Sequence, residues 1–503
     1  MKLDFIKPII PFIPEVKRPT KAPTVKEKFV WTGIVIFLFF VMYHIIPFGS
    51  ELKGGASMEF LQVVLASKMG TLLTIGIGPI VLASIILQLF AGAKIIQVDF
   101  QNPEDKLNFT ATQKTLTIII AIAEAALFVI PEAYLSCNPA MGGVFCTPPQ
   151  FEGDTYHFAL LGLVLVIAQI AGASILLMFM DEVTSKYGLG SGISIFIAAG
   201  VSLAIVQGSL ALLLGGKNVP EEITIIWKLT QGGANAIPTA IIALLPIVFT
   251  AIIILVCIYA ESIKIEIPLT IDRVKVRSMY PLKLLYVSVL PVILTSALLM
   301  NVQIISRSVL GGVSCYVSPE QITWLHYIGC VGPGGYVADG MLYFLTSFSS
   351  MYNPILSGYD AYLQMIVSST PLFKIPQIIH IIVYMVLYVS LCVFFGKFWI
   401  EAAGMGPETI AEQITQAGLS RPGFRSHPRI IKDMLDKYIV TVAVLGSIFV
   451  GLLAVLADLS GAIGTGTGIL LTVGIMYKFY EDFKQQKIFD AYPRLNKFFG
   501  GSS

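Results

Sequence analysis

Charged side chains are scarce in this chain. Asp, Glu, Lys and Arg account for 13% of its 503 residues, whereas 55% are hydrophobic, and the mean hydropathy is +0.80. A typical soluble domain contains roughly 25% charged residues. The composition therefore excludes a mainly water-soluble protein and indicates one that is surrounded by lipid.

Motifs of enzyme active sites are missing as well. The chain contains neither HExxH nor GxSxG, and its five histidines lie in separate segments. The glycine-rich strings GLGSG (188–192) and GTGTG (464–468) lack the Lys-Ser/Thr ending of a phosphate-binding loop, so close helix packing is their predicted role. We expect no enzymatic activity, no cofactor and no metal site.

Long apolar segments, in contrast, recur along the whole chain. A helix that crosses a bilayer needs roughly 20 mostly apolar residues. The sequence predicts ten such spans, no separate soluble domain and no removable signal peptide before the first span. The predicted spans are 29–46, 72–91, 112–133, 157–180, 190–214, 237–260, 285–305, 376–399, 438–457 and 463–481.

With ten spans, Lys and Arg are concentrated in the segments that share one side of the membrane with the N-terminus. Positively charged flanks are retained in the cytoplasm, so both termini are predicted to be cytoplasmic. The predicted parts are a cytoplasmic N-terminal tail (1–28), an N-terminal half with spans 1–5 (29–236), a C-terminal half with spans 6–10 (237–481) and a cytoplasmic C-terminal tail (482–503).

The segment 54–70, between spans 1 and 2, has a helical pattern but is too short and too polar to cross the membrane. It is predicted to be a half-helix that lies on the outer membrane surface or folds back into the protein. Its apolar residues fall on one helical face: Met58, Leu61, Val64 and Leu65.

Two other patterns concern spans and loops. Span 5 begins with GLGSGI (188–193) and span 10 with GTGTGI (464–469), as in an inverted repeat of two five-helix halves, although so short a match also arises by chance. After span 6, IKIEIPLTI (263–271) alternates apolar and polar residues and predicts a strand, followed by a basic stretch that completes a hairpin.

Ionisable groups inside spans are typical of ion-coupled transporters, and here only Glu124 lies at mid-span. Together with a few amides it forms either structural hydrogen bonds between helices or a functional polar cluster. Because such groups are few here, an ion-coupled secondary transporter is the alternative function rather than the first one. The amides are Gln88, Gln169, Asn301 and Gln303.

Six strings together resemble the SecY family of protein-conducting channels, and its archaeal and eukaryotic branch more than its bacterial one. They run from the N-terminal tail through span 10 in the expected order. The strings are KEKFVWTG (26–33), GTLLTIGIGPIV (70–81), QLFAGAKII (88–96), DEVTSKYGLGSGISIFIAAG (181–200), YPLKLLYVSVLPVIL (280–294) and GAIGTGTGILLTV (461–473).

The resemblance implies an all-α integral membrane fold of ten transmembrane helices in two inverted five-helix halves, with 54–70 as a re-entrant plug. It implies a pore for unfolded secretory polypeptides and a lateral gate, between spans 2 and 3 and spans 7 and 8, that releases hydrophobic segments into lipid. An apolar ring at the waist of the pore then falls on Ile77, Val81, Ile193, Ile197, Ile293 and Leu470.

The family's gate carries a polar cluster, which matches Leu82, Glu124 and Asn301 here. Leu82 departs from the usual Thr or Ser. The basic loops 6/7 and 8/9 match the family's ribosome-docking surface, and Arg273, Lys275 and Arg425 match it best. The positive-inside bias accounts for these charges equally well.

The family also implies partners and a location. The partners are a SecE-type small subunit, a second small subunit of SecG or Sec-beta type, the ribosome, signal peptides, nascent polypeptides and membrane lipid. The expected location is the plasma membrane of a prokaryote, archaeal in type, rather than the endoplasmic reticulum.

Four of the six cysteines fall in predicted external loops, where oxidising conditions favour disulfides. Four cysteines allow three pairings, and unpaired thiols are the alternative. We favour the two local pairs, because each closes a short loop and leaves loops 3/4 and 7/8 free to move separately. These pairs are Cys137 with Cys146 and Cys315 with Cys330.

Overall fold

The computed structural model describes most of the chain between residues 14 and 491. The described residues are 14–21, 23–52, 67–68, 70–92, 95–96, 102–130, 135–138, 145–147, 157–215, 224–230, 236–271, 277–285, 290–310, 313–317, 322–332, 337–348, 359–402, 405–416, 419–420 and 428–491. Some predicted site residues lie outside them: Met58, Leu61, Val64, Leu65, Arg273, Lys275 and Arg425.

Helices make up most of the described structure. In chain order they are α1 (Val25–His44), α2 (Gly78–Gly92), α3 (Pro103–Val129), α4 (Leu160–Tyr187), α5 (Gly192–Leu214), α6 (Ile225–Thr230), α7 (Ala236–Ser262), α8 (Leu290–Leu310), α9 (Trp324–Ile328), α10 (Tyr359–Val367), α11 (Gln377–Ala402), α12 (Pro407–Gln416), α13 (Pro428–Leu459) and α14 (Gly466–Ala491). A short 3-10 helix covers Leu342–Leu345.

A helix overlies each of the ten predicted spans. Within the described part of the chain, seven are long and apolar enough to cross a membrane by themselves: α1, α3, α4, α5, α7, α11 and α13. The apolar parts of α2 and α8 are shorter, and α14 is polar over its second half. The chain is thus a mostly helical integral membrane protein.

Several helices begin five or more residues away from the predicted starts of their spans, and two of these differences have a clear physical reason. α2 begins at Gly78 rather than at 72, because the preceding residues form turns in which Thr71 and Thr74 donate side-chain hydrogen bonds to nearby carbonyl oxygens, an alternative to helix. α13 begins at Pro428 rather than at 438. Its first turns are amphipathic and bury Ile431 and Leu435 in a cluster with α12.

Short antiparallel sheets connect the loops. β1 (Ser50–Leu52) pairs with β2 (Leu135–Cys137), β3 (Cys146–Thr147) with β4 (His157–Phe158), and β7 (Cys330–Val331) with β8 (Val337–Asp339). The hairpin predicted after span 6 is confirmed as β5 (Lys264–Ile271) and β6 (Arg277–Lys283). β9 (Leu419–Ser420), from loop 8/9, adds to the free edge of β5.

Candidate pore, gate and docking surface

The six aliphatic residues predicted for the waist of the pore, here called the waist residues, come from both halves of the chain and meet in one apolar cluster. Ile77, Ile197 and Leu470 are buried in it. The other three are partly buried and pack against it: Val81, Ile193 and Ile293. The cluster is the large apolar core of the protein, and it also contains residues outside the predicted waist, such as Phe39 and Tyr388.

Ile77 and Val81 keep the predicted spacing of one helical turn, although Ile77 lies one residue before the start of α2. The backbone N–H of Val81 donates to the carbonyl oxygen of Ile77 at 3.1 Å, so the two residues stand one helical turn apart. Ile193 and Ile197 occupy the first turn and a half of α5. Each pair presents branched side chains on one helical face.

The helices of the predicted lateral gate touch one another. α2 packs against α8 and α11, and α3 packs against α8. Glu124 on α3 is 8% exposed, Leu82 on α2 is half-buried, and so is Asn301 on α8. Asn301 donates to the carbonyl oxygen of Ala297 in its own helix at 2.8 Å. Spans 2 and 3 thus lie in direct contact with spans 7 and 8.

The amides that the sequence analysis placed within spans form separate hydrogen bonds rather than a chain. Gln169 connects α4 with the end of span 1, since it bonds the backbone N–H and carbonyl of Phe48. Gln303 donates to the carbonyl oxygen of Leu345 at 3.1 Å, and Gln88 to the hydroxyl of Ser84 at 2.9 Å. These contacts favour the structural reading of the polar groups.

The two basic loops meet in one sheet. Thr270 pairs with Ser420 and Ile271 with Leu419. The three candidate docking residues themselves, Arg273, Lys275 and Arg425, lie outside the described residues. Within the described residues, the pairing of β5 with β9 brings loops 6/7 and 8/9 side by side.

The loops that are predicted to be external contain two disulfides, Cys137–Cys146 and Cys315–Cys330, with Cα–Cα distances of 5.6 and 5.0 Å. These are the local pairs that the loop lengths favour. Cys257 and Cys392 are buried free thiols inside spans.

Two carboxylates near span ends, the half-buried Asp181 and the buried Asp458, are not predicted as site residues from the sequence. Asp181 lies near the end of α4 and Asp458 near the end of α13, and each accepts a backbone hydrogen bond from the start of the following helix. An Asp shortly before a glycine-rich helix start is the sequence signal that could have revealed them.

Helices that are long and apolar enough to cross a membrane, packed around one apolar core, are typical of an integral membrane protein. The SecY family model matches residues 71–480. The chain is 39% identical to the protein translocase subunit SecY of Methanocaldococcus jannaschii, covering 97% of this chain and 98% of the relative. It is 37% identical to that of Pyrococcus furiosus, covering 99% of each. The chain belongs to the SecY family.

Solved structures agree. One described as a protein-conducting channel matches with a TM-score of 0.72 and 37% identity, over 97% of this chain and 98% of the other. A SecY whose plug domain is described as stabilising the closed channel matches with a TM-score of 0.69 and 37% identity, and canine Sec61 from a ribosome-channel complex with 0.69 and 36%. Both cover 97% of this chain and 98% of the other.

Proposed function

We propose that this chain is the pore-forming subunit of a protein translocase. It conducts unfolded secretory polypeptides across the membrane and releases hydrophobic segments sideways between α2 and α3 on one side and α8 and α11 on the other. The observation that carries the proposal is that the six waist residues, which come from both halves, all belong to one apolar core cluster. Relatives named protein translocase subunit SecY support it.

Contacts between loops support ten spans. Two segments that touch outside the membrane lie on the same side of it, so an even number of spans separates them. β1 pairs with β2, and α2 and α3 lie between them, whereas the stretch 53–66 is too short to cross. Because α3 is long enough to cross, α2 crosses too. β5 pairs with β9, so α8 crosses together with α11.

The requirement for an even number of spans between two segments in contact also applies to α14. Lys283 at the end of β6 donates to Glu481 on α14, and α8, α11, α13 and the apolar part of α14 lie between them. Three of these four cross by the arguments above, so α14 makes the number even. Glu15 pairs with Lys186 at the end of α4 at 2.8 Å, which supports a position of the N-terminal tail on the same side of the membrane as loop 4/5. The positive-inside rule makes that side cytoplasmic.

The ten spans then form two halves, 29–236 and 237–481, that enclose the waist. A ring of branched aliphatic side chains blocks ions because narrow apolar constrictions exclude water. The plug, 54–70, fills the outer funnel when the channel is idle. Its end is attached to α1, since the ammonium of Lys68 lies 5.1 Å from the centre of the Tyr43 ring.

The gate is the contact of spans 2 and 3 with spans 7 and 8, and Leu82, Glu124 and Asn301 set how readily it opens. A polypeptide in transit reaches lipid when these helices separate. The separate hydrogen bonds of the amides in the spans weigh against the continuous relay that an ion-coupled transporter needs.

The basic surface on loops 6/7 and 8/9 docks the ribosome through Arg273, Lys275 and Arg425, because cationic side chains bind phosphates of RNA. The ribosome-channel complex of canine Sec61 supports this partner. A SecE-type subunit and a second small subunit complete the complex in a prokaryotic plasma membrane, archaeal in type.

Crosslinking tests the proposed function. A photoreactive amino acid placed at Ile197 or Leu470 is expected to capture a nascent secretory chain stalled during translocation, since both side chains belong to the waist. The matched control carries the same probe at Ile119, which is exposed on the outside of α3. Capture at the control position alone, or none at the waist, would exclude a polypeptide path through this cluster.

A further inference from the structure

A carboxylate at the end of α4 binds the start of α5. Asp181 Oδ1 accepts hydrogen bonds from the backbone N–H of Ile193 at 3.0 Å and from the hydroxyl of Ser191 at 3.3 Å. The first N–H groups of a helix have no acceptor within the helix, and they form its positive end. Asp181 therefore caps α5 at a residue that belongs to the waist.

The other half of the chain repeats this arrangement. Asp458, next to the last residue of α13, is 4% exposed, and its Oδ1 accepts from the backbone N–H of Gly466 at 2.6 Å. Gly466 is the first residue of α14. Leu470 follows four residues later, about one helical turn, so the capped end lies directly beside a waist residue.

Glycine permits the close approach in both places. At Gly192 a Cβ atom would come within 2.6 Å of the Cα atom of Asp181. At Gly466 it would collide with the carbonyl oxygen of Ala454 and the Cβ of Ala457. The strings GLGSG and GTGTG thus bring each helix start within hydrogen-bonding distance of the preceding span.

We infer that Asp181 and Asp458 are a pair of positioning residues for the waist, an inference that rests on the proposed function. Each carboxylate fixes the start of one helix, and each helix presents waist side chains within its first turns. α5 and α14 also pack against each other. A shift at either capped end therefore moves side chains that close the pore. The side chains after Asp181 belong to the N-terminal half of the chain, and those after Asp458 belong to the C-terminal half.

The test compares Asp→Asn with Asp→Leu at both positions. An amide oxygen accepts the same hydrogen bond, whereas Leu has similar size and no acceptor. Hydrogen exchange of the peptides that contain Ile193 or Gly466 is expected to accelerate roughly fivefold in D181L and D458L, respectively, and to stay unchanged in D181N and D458N. The control is D436L, which removes an exposed acid of α13.

Ion conductance of the purified channel complex in lipid bilayers is the second readout. D181L and D458L are expected to leak ions, while both Asn variants and D436L conduct like the wild type. Unchanged exchange in the Leu variants would overturn the capping contacts. Equal effects of Asn and Leu would overturn the hydrogen bond as the cause.

A variant with Ser at Ile77, Val81, Ile193 and Ile197 separates this inference from the proposed function. If that variant leaks and the Leu variants do not, although their exchange is faster, the link from the caps to the waist is wrong. If the Ser variant itself does not leak, the proposed waist is wrong, and the exchange rates alone decide whether Asp181 and Asp458 hold the helix starts.

Discussion

Tyr362 on α10 donates a hydrogen bond to the carbonyl oxygen of Leu459, the last residue of α13, at 2.8 Å. The Tyr362 ring is fully buried, and this burial raises the pKa of its phenol, so the group stays a neutral donor. A neighbour on α10, Tyr359, donates to the carbonyl oxygen of Ser460 at 3.1 Å. The long loop between spans 7 and 8 is therefore attached to the end of span 9.

Replacing Tyr362 with Phe keeps the ring and removes the hydrogen bond. We expect a loss of about 1 to 3 kcal/mol in the free energy of unfolding, because the carbonyl oxygen of Leu459 is left without this donor in a buried place. Thermal unfolding in detergent measures the change. Y316F, at an exposed tyrosine of the same loop, is the control and should match the wild type. An unchanged melting temperature for Y362F would exclude the attachment as a stabilising contact.

Hydropathy predicts the membrane-crossing helices because burial in lipid depends on the composition of each segment by itself, and seven of the described helices are long and apolar enough to cross. It missed the first turns of α13, since Ile431 and Leu435 are buried against α12 and leave the surrounding face polar. The pairing of β5 with β9 involves segments far apart in the sequence, and no local pattern predicts such a contact.

The candidate site residues also divide into those that the sequence predicts and those that it does not. The waist residues were predicted from the family's motifs, because isolated Ile and Val in membrane helices carry no signal of their own. Asp181 and Asp458 were missed since each is one acidic residue at a span end, where charge is common. Their role depends on which backbone N–H lies opposite the carboxylate, and that is a property of the fold.

Replacing Ile77, Val81, Ile193 and Ile197 together with Ser should make the resting channel permeable to ions. Small polar side chains widen the constriction and admit water, which the apolar ring excludes. Conductance in planar bilayers measures this. A control with Ser at four exposed apolar positions, Ile119, Ile122, Val206 and Ile241, should remain closed.

A single change such as I77V should leak much less than the fourfold variant, because neighbouring side chains fill a small gap. Wild-type conductance in the fourfold variant would rule out these residues as the seal of the pore.

Glu124 and Asn301 are predicted to interact across the seam between α3 and α8, directly or through one water. Glu124→Leu should change the open probability of the channel, and a double-mutant cycle with Asn301→Leu should give a coupling energy of about 0.5 to 3 kcal/mol. Ser390, exposed on α11, provides the control pair with Glu124, for which additivity is expected. Additive effects for Glu124 and Asn301 too would disprove the polar part of the gate.

Charge reversal at Arg273, Lys275 and Arg425 should weaken binding of purified ribosomes and make the remaining affinity less sensitive to salt, since fewer phosphate contacts release fewer counterions. The membrane fold should be unaffected. The matched control reverses three exposed lysines of the N-terminal tail: Lys17, Lys21 and Lys26. Equal affinities for the docking variant and the wild type would leave these charges only a topological role.

The disulfides Cys137–Cys146 and Cys315–Cys330 should be found in protein isolated without reducing agents. Alkylation after unfolding is expected to label only Cys257 and Cys392, the free thiols, and mass spectrometry should identify two peptides with local crosslinks. The second bridge spans 15 residues, and closing a loop of that length stabilises the folded state by about 3 kcal/mol. The C315S/C330S double variant should therefore unfold at a lower temperature than the wild type. Alkylation of all six cysteines would contradict the local pairing. A crosslink between loops 3/4 and 7/8 would contradict both the local pairing and the independent movement of the two halves.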